Sequence, residues 1–109
     1  MADKFQQLFE TLEATGFPVA YHHFNVADPP ASFPFICWMV DSTNDLKADD
    51  LNYVGRTNVR IELYYQTPNW EDQEKLESQL QNLGLIYDKE EVWIEQEQIY
   101  QMIYESELI

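Results

Sequence analysis

Carboxylates are the commonest chemically capable side chains in this sequence, and any reaction it carries out would have to be built largely from them. Glu90, Glu91, Glu95 and Glu97 lie close enough along the chain to suggest acid–base work or cation binding. On strands, however, neighbouring residues point to opposite faces, so the spacing defines no site. A solvated acidic face is the simpler expectation. Asp41, Thr43 and Asp45 begin like a calcium loop, but Leu46 stands where that loop needs glycine and Asn52 where it needs glutamate. His22 and His23 are adjacent. A strand from Pro18 to Phe24 would turn them apart, so they are not expected to share a metal. Cys37 sits inside the apolar run Phe35-Ile36-Cys37-Trp38-Met39-Val40 and reads as a buried thiol. With no second cysteine it has no internal disulfide partner. Phosphate-loop glycines, zinc-ligand spacing and a nucleophile elbow are all missing. The expectation is a non-enzyme, with no catalytic residue, metal or cofactor.

The charge balance sets the class of partner. Twenty acidic residues face six basic ones, for a formal charge of −14 over 109 residues. The six cations, Lys4, Lys47, Arg56, Arg60, Lys75 and Lys89, are scattered. Gripping a phosphate backbone takes clustered cations, so specific nucleic-acid binding is not expected. An anionic membrane is excluded on the same ground. No apolar run approaches the roughly 20 residues of a membrane span. No secretory signal is readable, and the lone cysteine fits a reducing compartment. The length suits one domain, residues 1–109, burying roughly two thirds of its unfolded surface. Sixteen aromatic residues supply much of that core.

The elements that would position these side chains are readable in order. Phe5, Leu8, Phe9 and Leu12 form one stripe of a helix over 3–15, with Asp3 as N-cap and Gly16 at the C-terminal end. Pro18 to Phe24 reads as a strand. Pro29, Pro30 and Pro34 mark a connector, and Phe33 to Asp41 a second strand, apolar on both faces. Residues 42–55 form a long connection whose Leu46, Leu51, Tyr53 and Val54 suggest docking. Arg56 to Gln66 is the strongest strand. Val59, Ile61, Leu63 and Tyr65 alternate with Asn58, Arg60, Glu62 and Tyr64, so it is expected at the centre of the sheet. A second helix follows, capped at Thr67 with Pro68 or at Asn69, with Leu76, Leu80 and Leu83 buried and Gly84 at its end. Leu85 to Tyr87 starts a strand, and Asp88 to Glu91 reads as a bulge or turn. Val92–Glu95 and Gln98–Glu105 should close as an antiparallel pair, leaving 107–109 as a loose end. The fold class is α+β, an antiparallel or mixed sheet packed with two helices in the order α-β-β-β-α-β-β.

Several stretches resemble one family. They are Lys4-Phe5-Gln6-Gln7-Leu8-Phe9 with Thr15-Gly16-Phe17-Pro18-Val19-Ala20-Tyr21, then Asp50-Leu51-Asn52-Tyr53-Val54 with Arg60-Ile61-Glu62-Leu63-Tyr64. Leu83 to Glu91, Ile94 to Glu97 and Tyr100 to Glu105 continue the series. Their order and spacing are similar to those of small tail-completion proteins of siphophages and of prophages in Gram-positive bacteria. The likeness spans nearly the whole chain and rests on structural motifs.

This resemblance implies a tail terminator, a hexameric ring that caps the tail tube, stops its polymerisation and offers the face that joins the head. Its partners would be further copies of itself, the major tail tube protein and the head–tail connector or stopper. It would reside in the virion tail or neck after assembly in the bacterial host cytoplasm. DNA would pass through the ring without being gripped. The candidates for interface or lumen are Asp45, Asp49, Asp50, Leu51 and Tyr53 in the 41–55 connection, with Glu95 and Glu97 in the closing hairpin. Two alternatives remain open. One is a head–tail adaptor or stopper. The other is an acidic DNA mimic that occupies a basic site on a host protein.

Overall fold

The structure, a computed structural model, describes residues 3–43 and 57–108. Helix α1 spans Lys4–Glu13 and starts at Asp3, whose carboxylate accepts a hydrogen bond from the Gln6 N–H at 2.8 Å. It buries Leu8 and Leu12 completely. Helix α2 spans Trp70–Asn82. Of its two possible starts the chain uses Asn69, whose side chain accepts from the N–H groups of Glu71 at 3.0 Å and Asp72 at 3.4 Å. Glu71 and Asp72 then sit at the positive end of the helix dipole. Gly84, just past the helix, has φ +87°, a conformation glycine adopts at little cost.

The strands are β1 (Val19–Tyr21), β2 (Phe35–Thr43), β3 (Thr57–Tyr65), β4 (Tyr87–Ile94) and β5 (Ile99–Leu108). They form one sheet in the order β1-β2-β3-β5-β4. Only the β1–β2 pair is parallel. The strand with the clearest alternation, β3, is the middle one. Val59, Ile61, Leu63 and Tyr65 all join the core with Leu8, Leu12, Leu76 and Leu80. Both helices therefore cover the same face of the sheet. That face also holds Ile36, Trp38, Met102 and Tyr104.

Three local expectations fail. The first strand stops at Tyr21 and does not reach Phe24, because His22 takes a left-handed φ of +69°. Asp88 to Glu91 is regular strand, not a turn or bulge. As the sheet's edge strand, β4 can hold four successive charged residues with all of them exposed to water. Glu107 and Leu108 are not a loose end, and Ile109 lies outside the described residues. Leu108 pairs with Thr57, and its side chain is 4% exposed. The β4–β5 turn contains no Gly, Asn or Asp, and Gln98 supplies the positive φ, at +57°.

A carboxylate ties α2 to the sheet. Glu77 accepts from the Tyr104 hydroxyl and from the Lys89 ammonium, each at 2.8 Å. Desolvation, then the bond to Glu77, pushes the Tyr104 hydroxyl well above its ordinary pKa. The bond to Glu77 likewise holds Lys89 above its own. Nearby, the Tyr65 hydroxyl donates to Glu91. The Trp38 N–H, in contrast, is buried with no partner among the described residues. An unmade bond of this kind costs about 1–3 kcal/mol.

Candidate functional site

The opposite face of the sheet is covered by neither helix. Reading across β2, β3, β5 and β4, its rows are Phe35–Tyr64–Gln101–Val92, Cys37–Glu62–Ile103–Glu90 and Met39–Arg60–Glu105–Asp88. Glu62 lies near the middle and is only 6% exposed. It is held there because Arg60 Nε lies 2.7 Å from one carboxylate oxygen and the Tyr64 hydroxyl donates to the other at 2.7 Å. Gln101 in turn donates to the Tyr64 oxygen at 2.9 Å. A charge so placed is tolerable only when its hydrogen bonds are made.

This network raises the acids around it. Burial, then the bond to Glu62, lifts the Tyr64 hydroxyl above its usual range. Cys37 pairs in register with Glu62, and burial together with that negative charge pushes its thiol up to about 11. A thiol at that value is almost wholly protonated near neutrality and makes a poor nucleophile. The expectation of a buried thiol holds.

Beside the network is an aromatic cluster. Phe35 stacks on Tyr64 with centroids 4.9 Å apart. Phe24 and Phe33, from the connector, pack on Phe35 at 5.4 and 5.3 Å. Phe33 remains 41% exposed. The face thus joins a hydrogen-bonded polar centre to an aromatic cluster at its edge.

Acidity gathers at one end of the sheet. A hollow of about 380 Å³ is lined by Asp41, Asp88, Glu105 and Glu107 around Asn58 and Ile86. Ile86 is 91% exposed. A second hollow, about 540 Å³, lies between α1 and α2, and the residues lining it include Thr15, Glu71, Glu74, Lys75 and Ser78.

The residues singled out in the sequence divide into two groups. Asp45, Asp49, Asp50, Leu51 and Tyr53 lie outside the described residues. The positions flanking that segment, Thr43 and Thr57, pair with each other at one end of the sheet, the end that carries the acidic hollow. Glu95 and Glu97 are exposed in the β4–β5 turn at the other end, next to the Ile94–Ile99 pair. Strand β3 separates the two ends by about 27 Å, at roughly 3.4 Å per residue. Glu95 and Glu97 thus lie at the end of the sheet away from Thr43 and Thr57. Glu95 accepts from the Trp93 indole at 3.0 Å and from Gln98 at 2.8 Å, which fixes the hairpin tip.

The network on the uncovered face was missed as a site. The alternation of β3 had placed Arg60, Glu62 and Tyr64 together, but nothing in the sequence said that both helices would choose the other side. The separation of His22 and His23 was also misjudged. Their Nδ1 atoms are 3.0 Å apart. Among the described residues no group of three or more His, Cys, Asp or Glu side chains could hold a metal ion. Comparison with known protein families, with curated proteins and with solved structures finds no match.

Proposed function

We propose that this chain is a phage or prophage tail terminator, acting as a hexameric ring that caps the tail tube and presents a face to the head connector. The observation that carries the reading is the acidic end of the sheet. Asp41, Asp88, Glu105 and Glu107 meet there, at the side from which the Asp45, Asp49 and Asp50 segment departs. Six copies would carry a formal charge of 6 × −14 = −84. A bore walled by such an end would repel DNA and let it slide.

Two further features support this reading. A closed ring needs a heterologous contact, one patch on each copy meeting a different patch on the next. The face that neither helix covers, with its cluster of Phe33, Phe35 and Tyr64, and the edge strand β4 are two unlike surfaces of that kind. A cap must also touch the tube on one side and the connector on the other. The acidic hollow and the turn that carries Glu95 and Glu97, at opposite ends of the sheet, suit that arrangement.

The charge also favours a second reading, an acidic inhibitor seated on a basic host protein. Electron microscopy of particles made with and without the protein separates these readings. Overlong tails in its absence are the expected result. Tails of normal length that fail to join heads would point to an adaptor or stopper. Normal, joined tails would remove both virion roles.

A further inference from the structure

We propose that His22 and His23 form a two-nitrogen site for a divalent transition-metal ion of the class imidazole suits, such as Ni²⁺, Cu²⁺ or Zn²⁺. The proposal is independent of the tail reading. It starts from the backbone. Strand β1 ends at Tyr21, and the next residue adopts φ +69°. Two short bonds hold that turn. The His22 N–H donates to the Trp38 carbonyl at 2.7 Å and the His23 N–H to the Tyr21 carbonyl at 2.8 Å. Left-handed backbone at a non-glycine residue is a cost that clusters at functional positions. Here its effect is to swing two neighbouring rings together that an extended chain would hold apart.

The resulting geometry is that of a ligand pair. The two Nδ1 atoms are 3.0 Å apart, and the rings are nearly perpendicular, at 89°. Two nitrogens each about 2.1 Å from one ion lie about 3.0 Å apart across a right angle, and about 3.4 Å across a tetrahedral one. The hydrogen-bonded spacing is close to both, and imidazole suits Ni²⁺, Cu²⁺ and Zn²⁺ alike. Without a metal, one Nδ1 carries a proton and donates it to the other. Shifting that proton to Nε2, or to solvent, frees both lone pairs. A small rotation about the soft χ2 torsions then points them at a common centre. Both side chains are exposed, so water completes the coordination shell.

Calorimetric titration of the full chain with Ni²⁺ tests the site, with excess Mg²⁺ present to occupy carboxylates, which it prefers over imidazole. One ion per chain is expected at about pH 7.5. His22→Ala and His23→Ala should each lower affinity about tenfold or more, equivalent to about 1.4 kcal/mol. His22→Gly keeps the left-handed turn but loses the donor, and should match His22→Ala. Nitrogen NMR shifts should move at Nδ1 of both rings. Wild-type binding no tighter than that of the single-histidine variants, or unchanged in all of them, would overturn the proposal. Circular dichroism of each variant shows that it remains folded.

Discussion

Tyr104→Ala should remove about 4 kcal/mol of folding stability, the scale seen when a large buried side chain is truncated to alanine. Domains of this size are stable by only about 5–15 kcal/mol, so much of the margin would go. The position explains the size of the effect. Tyr104 is fully buried on β5, between Ile61 of β3 and Lys89 of β4, with the edge of its ring against Tyr87 at 5.3 Å. Its hydroxyl reaches through the core to Glu77 on α2. Truncation therefore opens a cavity and also removes one tie between α2 and the sheet. Tyr104→Phe keeps the ring and loses only the hydrogen bond. Lys89 still partners Glu77 in that variant, so the expected cost is about 1 kcal/mol. Urea unfolding of the two variants beside the wild type measures both numbers. Equal losses would mean that the bond to Glu77, not the ring's volume, holds the two layers together. A loss under about 1 kcal/mol for the alanine variant would contradict the placement of Tyr104 in the core.

Reversing Asp45, Asp49 and Asp50 to lysine together should depress infectivity strongly while leaving the fold intact. Each substitution adds two charges, so the chain moves from −14 to −8 and six copies from −84 to −48. If these residues line the bore, the wall exchanges repulsion of DNA for local attraction. DNA then stalls in transit, or the charged rim no longer fits its neighbour at tail joining. A fall in titre of roughly tenfold or more is expected, the lower end of what charge steering contributes to encounter rates. The triple alanine variant separates sign from mere loss of carboxylate and should lie between wild type and reversal. Plaque counts, with micrographs scored for joined heads and tails, give the readout. Normal assembly and normal titre in the reversal would remove these three residues from the lumen.

The fold was legible in the sequence where periodicity was strong. Val59, Ile61, Leu63 and Tyr65 have a period of two, and the structure places β3 at the centre of the sheet with all four in the core. The leucine stripes and cap residues likewise marked both helices. Expectations failed where one residue's backbone, or a strand's place in the sheet, decided the outcome. His22 ends β1 through a positive φ that no spacing rule shows. Asp88 to Glu91 looked like a turn because four charged residues cannot be strand in a sheet interior, yet at an edge they can. The candidate site was harder to read for a similar reason. The Glu62 network depends on Arg60 and Tyr64 beside it on β3 and on Gln101 from β5. Which face two amphipathic helices cover is a property of the whole chain's connectivity. Local alternation names the two sets of residues on β3 without saying which set is left uncovered.

Tail-tube length in a defined reaction tests the central claim most directly. Tube protein from the same genome is allowed to polymerise with increasing amounts of this chain, and tube lengths are read by electron microscopy. Capping predicts that mean length falls as the chain is added, with a ring at one end of each stopped tube. Lengths independent of the added protein, with bare tube ends, would contradict the account.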